Sequence, residues 1–209
     1  MARLSKDDAE LQQREAQGLW QAQIMAKDIA ESDEKITLDV LLRLHKVFQE
    51  TANPNIAGRF RKNGEDIEPL ACITPIPGRL VQEEIYKFWR EFDVRSAVIP
   101  KKNPTSKTGK YKRNKQVIEL AAWTQHQIAK IHPFCEGNGR MARLMTNLVL
   151  RRYGILPTDI KYEGENKEKY LQALCDVDLK NDDRMLIQLI IKGINNSYRK
   201  LIQLKKKQK

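Results

Sequence analysis

The stretch Ile131-His132-Pro133-Phe134-Cys135-Glu136-Gly137-Asn138-Gly139-Arg140-Met141-Ala142-Arg143 sets a base, a carboxylate, two glycines and two arginines at one loop-to-helix junction. Gly137 and Gly139 let backbone N–H groups approach an anion, the run from Met141 to Met145 favours helix, and a helix N-terminus carries partial positive charge. Together these features make a phosphate cradle. His132, whose residue type titrates at about 6.5, can take a proton from an attacking hydroxyl. Arg140 and Arg143 are three residues apart, on one face of the first helical turns, where both can pair with phosphate oxygens. The Asn138 amide can donate to a phosphate oxygen, and Phe134 points inward and pins the loop. Glu136 would repel phosphate unless a divalent cation stood between them; Mg²⁺ takes one or two carboxylates plus phosphate oxygens and waters. The plainer readings are an acidic helix N-cap for Glu136 and a surface ion pair for Arg143.

Working outward, the apolar spacing predicts helices on both sides of this segment. Asn114 to Lys130 carries Val117, Ile118, Ala121, Ala122 and Ile128 inward, and a second helix runs from Gly139 to about Tyr153. Ser5 with Asp8 reads as a capping box for a polar helix reaching about Ala30. Thr37 can cap another helix with Leu38, Leu41, Leu42, His45 and Phe48 on its core face, His45 as a buried, hydrogen-bonded histidine. Between Ala52 and Gly78 the pattern stops at Pro54, Pro69, Pro75 and Pro77, and Asn63-Gly64 signals a hairpin turn. Arg79 to Asp93, Lys167 to Val177 and Asp183 to Gln203 complete an all-α bundle with one small β-hairpin.

The net charge is +11 over 209 residues, which invites a nucleic-acid reading. Its distribution argues otherwise. Residues 101–115 and 192–209 each hold seven cations and no acid, and without those 14 the +11 becomes −3. The first patch, with Asn103-Pro104-Thr105-Ser106, reads as a solvated loop over 98–115, and residues 201–209 as a basic tail. Cys72, Cys135 and Cys175 are odd in number and lack paired spacing, so neither a disulfide framework nor a zinc site is expected. A reducing cytoplasm fits that usage. Cys135, beside the cradle, is a reactive-thiol candidate. No segment approaches the ~20 apolar residues of a membrane span.

Every defined position of the opening segment fits His-x-Phe-x-(Asp/Glu)-Gly-Asn-Gly-Arg-x-x-Arg, and in this it resembles the Fic family. Leu44-His45 and Gly58-Arg59-Phe60-Arg61 are similar to the stretch before that family's flap, and Tyr170-Leu171-Gln172-Ala173-Leu174 to its penultimate helix. The resemblance implies a Fic-type helical bundle over 37–200 with a β-hairpin flap near Ile73 and Thr74, preceded by a helical extension over 1–36. It implies a protein adenylyltransferase using ATP and Mg²⁺. In that scheme His132 deprotonates a Ser, Thr or Tyr hydroxyl of a target protein, which attacks the α-phosphate and expels pyrophosphate. Gly137, Asn138, Gly139, Arg140 and Arg143 would hold phosphates, Glu136 the metal, and Tyr170 and Leu174 the adenine. Fic-type kinases and phosphocholine transferases are the nearest alternative; a basic nucleic-acid-binding or scaffold module is the alternative from another class.

Many Fic enzymes are silenced by a helix with Ser/Thr-x-x-x-Glu-Gly/Asn, whose glutamate pairs with the second arginine. Glu136, Glu163 and Glu165 are followed by Gly or Asn, but His132, Asp159 and Lys161 stand four residues earlier. Control is therefore expected in trans from a small antitoxin-like protein, with a degenerate N-terminal helix using Glu10 or Glu15 as the alternative. A homo-oligomer is compatible with the sequence. The expected location is the cytoplasm, or a host cytoplasm after secretion.

Overall fold

The computed structural model describes residues 6–69 and 71–207; Ser5, half of the expected capping box, lies outside them. Its seven α-helices among the described residues are α1 Lys6–Glu31, α2 Leu38–Gln49, α3 Val81–Ala97, α4 Lys107–Ile131, α5 Asn138–Arg152, α6 Glu165–Lys180 and α7 Arg184–Lys207. The centre of the bundle is the pair α4 and α5, joined by residues 132–137. Leu120, Ala121, Ile128, Met141, Met145, Leu148 and Val149 from these two helices are all buried. Removing such side chains from water is the main favourable term in forming the bundle.

Against this pair lie α1 on one side and α3, α6 and α7 on others. α1 comes in close because its inner stripe is small: Ala22, Ala26 and Ala30 are buried, and a Cβ at Gly18 would stand 2.1 Å from the Phe48 carbonyl oxygen. Arg152 of α5 donates to the Ile29 carbonyl at 2.6 Å and to that of Glu34, which fixes the C-terminal end of α1. The first helix thus contributes to the common core. α2 buries Val40, Leu41, Leu44, His45 and Phe48 at helical spacing, close to the face read from the sequence.

Several expectations need correction. The basic stretch read as a loop to residue 115 is helical from Lys107, with the Ser106 hydroxyl accepting from the Gly109 N–H at 3.0 Å. Its first two turns are solvated nearly all round, so no apolar stripe marks them. Cys72 and Cys175 form a disulfide across 103 residues of sequence, contrary to the reading of three unpaired thiols. Spacing cannot reveal a bridge whose partners meet only through the fold. Finally, α7 continues past Gln203 to Lys207, its last turns exposed.

The hairpin at Asn63-Gly64 is present as its turn, with Gly64 at φ +82, but no ladder follows; Ile73 makes an isolated bridge. Pro69, Pro75 and Pro77 lack the N–H donors a ladder needs. Side chains hold the segment instead. Arg59 grips Glu65 in a bidentate pair at 2.8 and 2.9 Å, and the Asp66 carboxylate accepts from the Gly78 N–H at 2.7 Å.

Candidate active site

α4 ends at Ile131 and His132 caps it in the left-handed conformation, φ 51 and ψ 59. The imidazole Nδ1 lies 3.0 Å from the Ala129 carbonyl oxygen. A carbonyl only accepts, so Nδ1 carries the proton and Nε2 is left with its lone pair, the tautomer a general base requires. Burial lowers the pKa of this ring; the Ala129 hydrogen bond opposes that, and the Arg61 charge adds to the lowering. His132 is thus kept neutral and able to accept a proton at neutral pH.

The loop beyond it is braced from inside. Phe134 is fully buried and stacks on His45, ring centroids 3.6 Å apart and planes at 6°. His45 Nδ1 accepts from the Gly58 N–H at 3.1 Å, so its Nε2 donates to the Glu136 carbonyl at 3.2 Å. Both nitrogens are used in the neutral form, and burial takes the pKa of His45 down to about 4. The structural role read for this histidine holds. Asn138 is buried too, and its amide closes a ring with Phe134: the N–H of Phe134 donates to Oδ1 at 2.9 Å and Nδ2 donates to the Phe134 carbonyl at 2.7 Å. The side chain read as a phosphate donor thus uses its Oδ1 and one Nδ2 hydrogen to shape the turn, and the residue also lines a cavity.

Gly137 begins α5 at φ +80, and a Cβ there would meet Phe48 Cε1 at 2.4 Å, so only glycine fits. Gly139 has no such constraint, since its nearest prospective neighbour is Arg143 Nη1 at 3.5 Å; the space over it is open. The two arginines differ in company. Arg140 lies over the Phe48 ring at 4.6 Å and is held by Glu15 of α1 through two 2.9 Å contacts. Arg143 lies over Tyr162 at 4.8 Å, and its Nη1 is buried with no hydrogen-bond partner. An orphaned buried donor on a guanidinium is costly, and an anion resolves it.

These parts line one cavity of about 270 Å³: His132, Gly137, Asn138, Gly139, Arg140 and Arg143 on the polar side, with Ile73, Pro75, Ala129, Tyr162, Tyr170, Leu171 and Leu174 on the other. Of the residues expected at adenine, Tyr170 and Leu174 are both buried in its wall, and the Tyr170 hydroxyl accepts from Gln125 Nε2 at 3.0 Å. Burial raises the pKa of Tyr170, which stays protonated. Ile73 is at the wall, while its neighbour Thr74 is exposed outside it. Glu136 is exposed on the loop, outside the cavity wall, and no cation among the described residues pairs with its carboxylate. No cluster of three or more metal-ligating side chains exists among the described residues. A single free carboxylate beside the cavity suits only a cation that arrives with other oxygen ligands.

Cys135 does not fit the reactive role expected of it. Burial first, then the Glu65 carboxylate, push its thiol pKa upward, away from thiolate. Arg61 and Tyr162 were missed as site residues by sequence reasoning. Arg61 stood only as part of a flanking motif, and Tyr162 lies in a stretch with no periodic signal.

Fold and site together define an all-α protein carrying a histidine, a glycine turn and two arginines on one cavity. The Fic/DOC family model matches residues 35–150, more than half of the sequence, and the chain belongs to that family. It is 28% identical over 158 residues to Protein adenylyltransferase Fic of Nematostella vectensis, covering 75% of this chain and 33% of that protein. It is 38% identical over 98 residues to a Fido domain-containing protein of Dictyostelium discoideum, 46% of this chain and 61% of that one. Among solved structures, Fic-1 (residues 134–508) of C. elegans superposes with a TM-score of 0.71 at 22% identity, over 100% of this chain and 55% of that one. BepC of Bartonella tribocorum, with bound AMPPNP, gives 0.61 at 14% identity over 90% and 88%. The chain spans about a third of the length of the adenylyltransferase relatives it matches.

Proposed function

We propose that the protein is an adenylyltransferase that moves AMP from ATP to a hydroxyl side chain of a target protein. One observation carries the reading: His132, with its Nε2 lone pair left available, lines the same cavity as the buried, unpartnered Nη1 of Arg143. Nε2 takes the hydroxyl proton, the oxygen attacks the α-phosphorus, and the bond to pyrophosphate breaks. Arg143 and the backbone N–H groups of the α5 N-terminus stabilise the charge that moves onto the leaving group. Glu136 would hold Mg²⁺, which when bound neutralises phosphate charge. Tyr170 and Leu174 supply the apolar wall for adenine, and Ile73 the edge nearest the target. Adenylyltransferases among the relatives support the class of reaction, and no helix among the described residues is long and apolar enough to cross a membrane.

Label from [α-³²P]ATP should remain on protein, and label from [γ-³²P]ATP should not. The reverse outcome makes the protein a kinase. Salt-sensitive nucleic-acid binding with no labelling would favour a basic binding module.

Control was expected in trans. The bidentate contact of Glu15 with Arg140 favours a second reading, in which α1 itself occupies one phosphate-binding arginine and an incoming nucleotide must displace it. The pair is on the first arginine of the motif, whereas the family's inhibitory glutamate meets the second.

A further inference from the structure

Arg61 is the largest fully buried side chain among the described residues, yet it comes from the irregular segment before α3. Nothing in the proposed chemistry uses it. Its guanidinium Nε donates to the His132 carbonyl at 2.6 Å and Nη2 to the Ile131 carbonyl at 3.1 Å; its backbone N–H donates to the Pro133 carbonyl at 2.9 Å. Three successive carbonyls are therefore held by one residue 71 positions away in sequence. The Ile131 and His132 carbonyls belong to the two peptide planes that flank the His132 Cα. Holding both planes fixes φ and ψ of His132, and so the direction of its Cα–Cβ bond.

That conformation needs holding. A non-glycine residue in the left-handed region is strained, and the last carbonyls of a 25-residue helix lack intrahelical partners. Arg61 meets both needs, and its charge is favoured at the negative end of α4. Asp66, the nearest carboxylate, stands 3.7 Å from Nη1, so carbonyls rather than a tight ion pair carry the burial. The same Nη2 also donates to the Ile76 carbonyl, next to Pro75 on the cavity wall.

We propose that Arg61 is the positioning residue that orients His132 toward the cavity, and that by gripping Ile76 with the same guanidinium it keeps the 73–76 edge in register with that base. The planar fork is essential to this. A lysine ammonium retains the charge but cannot address divergent carbonyls in one plane. The kinetic part of the test rests on the adenylyl-transfer reading; the spectroscopic part does not.

Arg61→Lys and Arg61→Met are compared with the full wild-type chain in three measurements: kcat and KM for ATP in target labelling, ATP affinity by calorimetry, and the His132 ring titration by NMR, assigned with His132→Gln. Misplacing a reacting group by about 1 Å costs on the order of 10²-fold in rate. Arg61→Met should lose about that much in kcat, and Arg61→Lys about tenfold. ATP affinity and KM should move less than about threefold, because the phosphate side belongs to α5. The His132 titration should move upward in Arg61→Met and stay near wild type in Arg61→Lys. Should Arg61→Met fail to fold, Arg61→Lys decides through its split between kcat and KM. Rates within threefold of wild type and an unmoved His132 titration overturn the proposal, as does an ATP affinity that falls in parallel with kcat. If the wild-type chain transfers no AMP, the adenylyl-transfer reading fails, and the His132 titration alone supports or overturns the role of Arg61.

Discussion

Residues 132–143 and residues 51–77 face each other across the cavity, and they are built in opposite ways. The first region is nearly self-sufficient: Asn138 closes its own turn on Phe134, Gly137 starts α5, and both arginines project from that helix within six residues. The second has no regular element among its described residues and is held in place by long-range contacts: Arg61 to the α4 carbonyls, Cys72 to Cys175, and Gly58 to His45. Short-range construction suits the proposed phosphate cradle, whose ligand would always be alike. An edge hung on distant anchors can vary in sequence without disturbing the loop and helix across the cavity.

The sharpest way to break this comparison is at His132, the residue both regions share. His132→Ala should lower the transfer rate about 10²- to 10⁴-fold while leaving ATP affinity within a few-fold, measured by labelling and calorimetry. Unchanged labelling would remove the base from the cradle altogether.

The next largest effect concerns the anchors. The folded protein keeps His45 neutral down to about pH 4, while an unfolded chain takes up that proton near 6.5. Between those values the unfolded state binds more protons, so stability is full above about pH 6.5 and is lost as pH falls toward 4. The loss is about 3 kcal/mol. Burial lowers His126 and His132 as well, which adds in the same direction. Denaturant unfolding from pH 7 to pH 4 should show this slope, and His45→Gln should flatten it.

Two neighbouring glycines separate folding from binding. Gly137→Ala meets a positive φ and the Phe48 ring, and should cost about 2–3 kcal/mol in unfolding free energy. Gly139→Ala meets no comparable obstacle and should gain up to about 1 kcal/mol from helix propensity. Its methyl stands in the open space over α5, so ATP affinity should fall even as stability rises. The smallest expected change is at α1. Glu15→Gln weakens the clamp on Arg140 and should raise labelling severalfold if α1 restrains the site; unchanged or lower labelling would return control to a partner in trans.

Much of the helical bundle was readable because solvent-facing helices show their buried stripe, as α2 does with Leu41, Leu44, His45 and Phe48. The start of α4 was not. Its first two turns touch little and are anchored by Arg113, which donates to the carbonyls of Pro100, Lys101 and Tyr153. An arginine in a run of cations reads as surface until the fold supplies carbonyls for it. Arg61 escaped for the same reason, and Cys72 with Cys175 because bridging geometry is a property of the folded backbone.

The sequence by itself determined which groups meet at the loop: the histidine, the glycine turn, the two arginines and the helices that carry them follow from residue types within a short window. The tertiary structure alone decided which of these groups are free. It used the Asn138 amide to close the turn, paired Arg140 with Glu15, left Arg143 Nη1 without a partner and set Arg61 on the carbonyls that flank His132. Local residue order encodes what a segment can bind, but hydrogen-bond partners brought from 71 and 125 residues away are set only when the core closes.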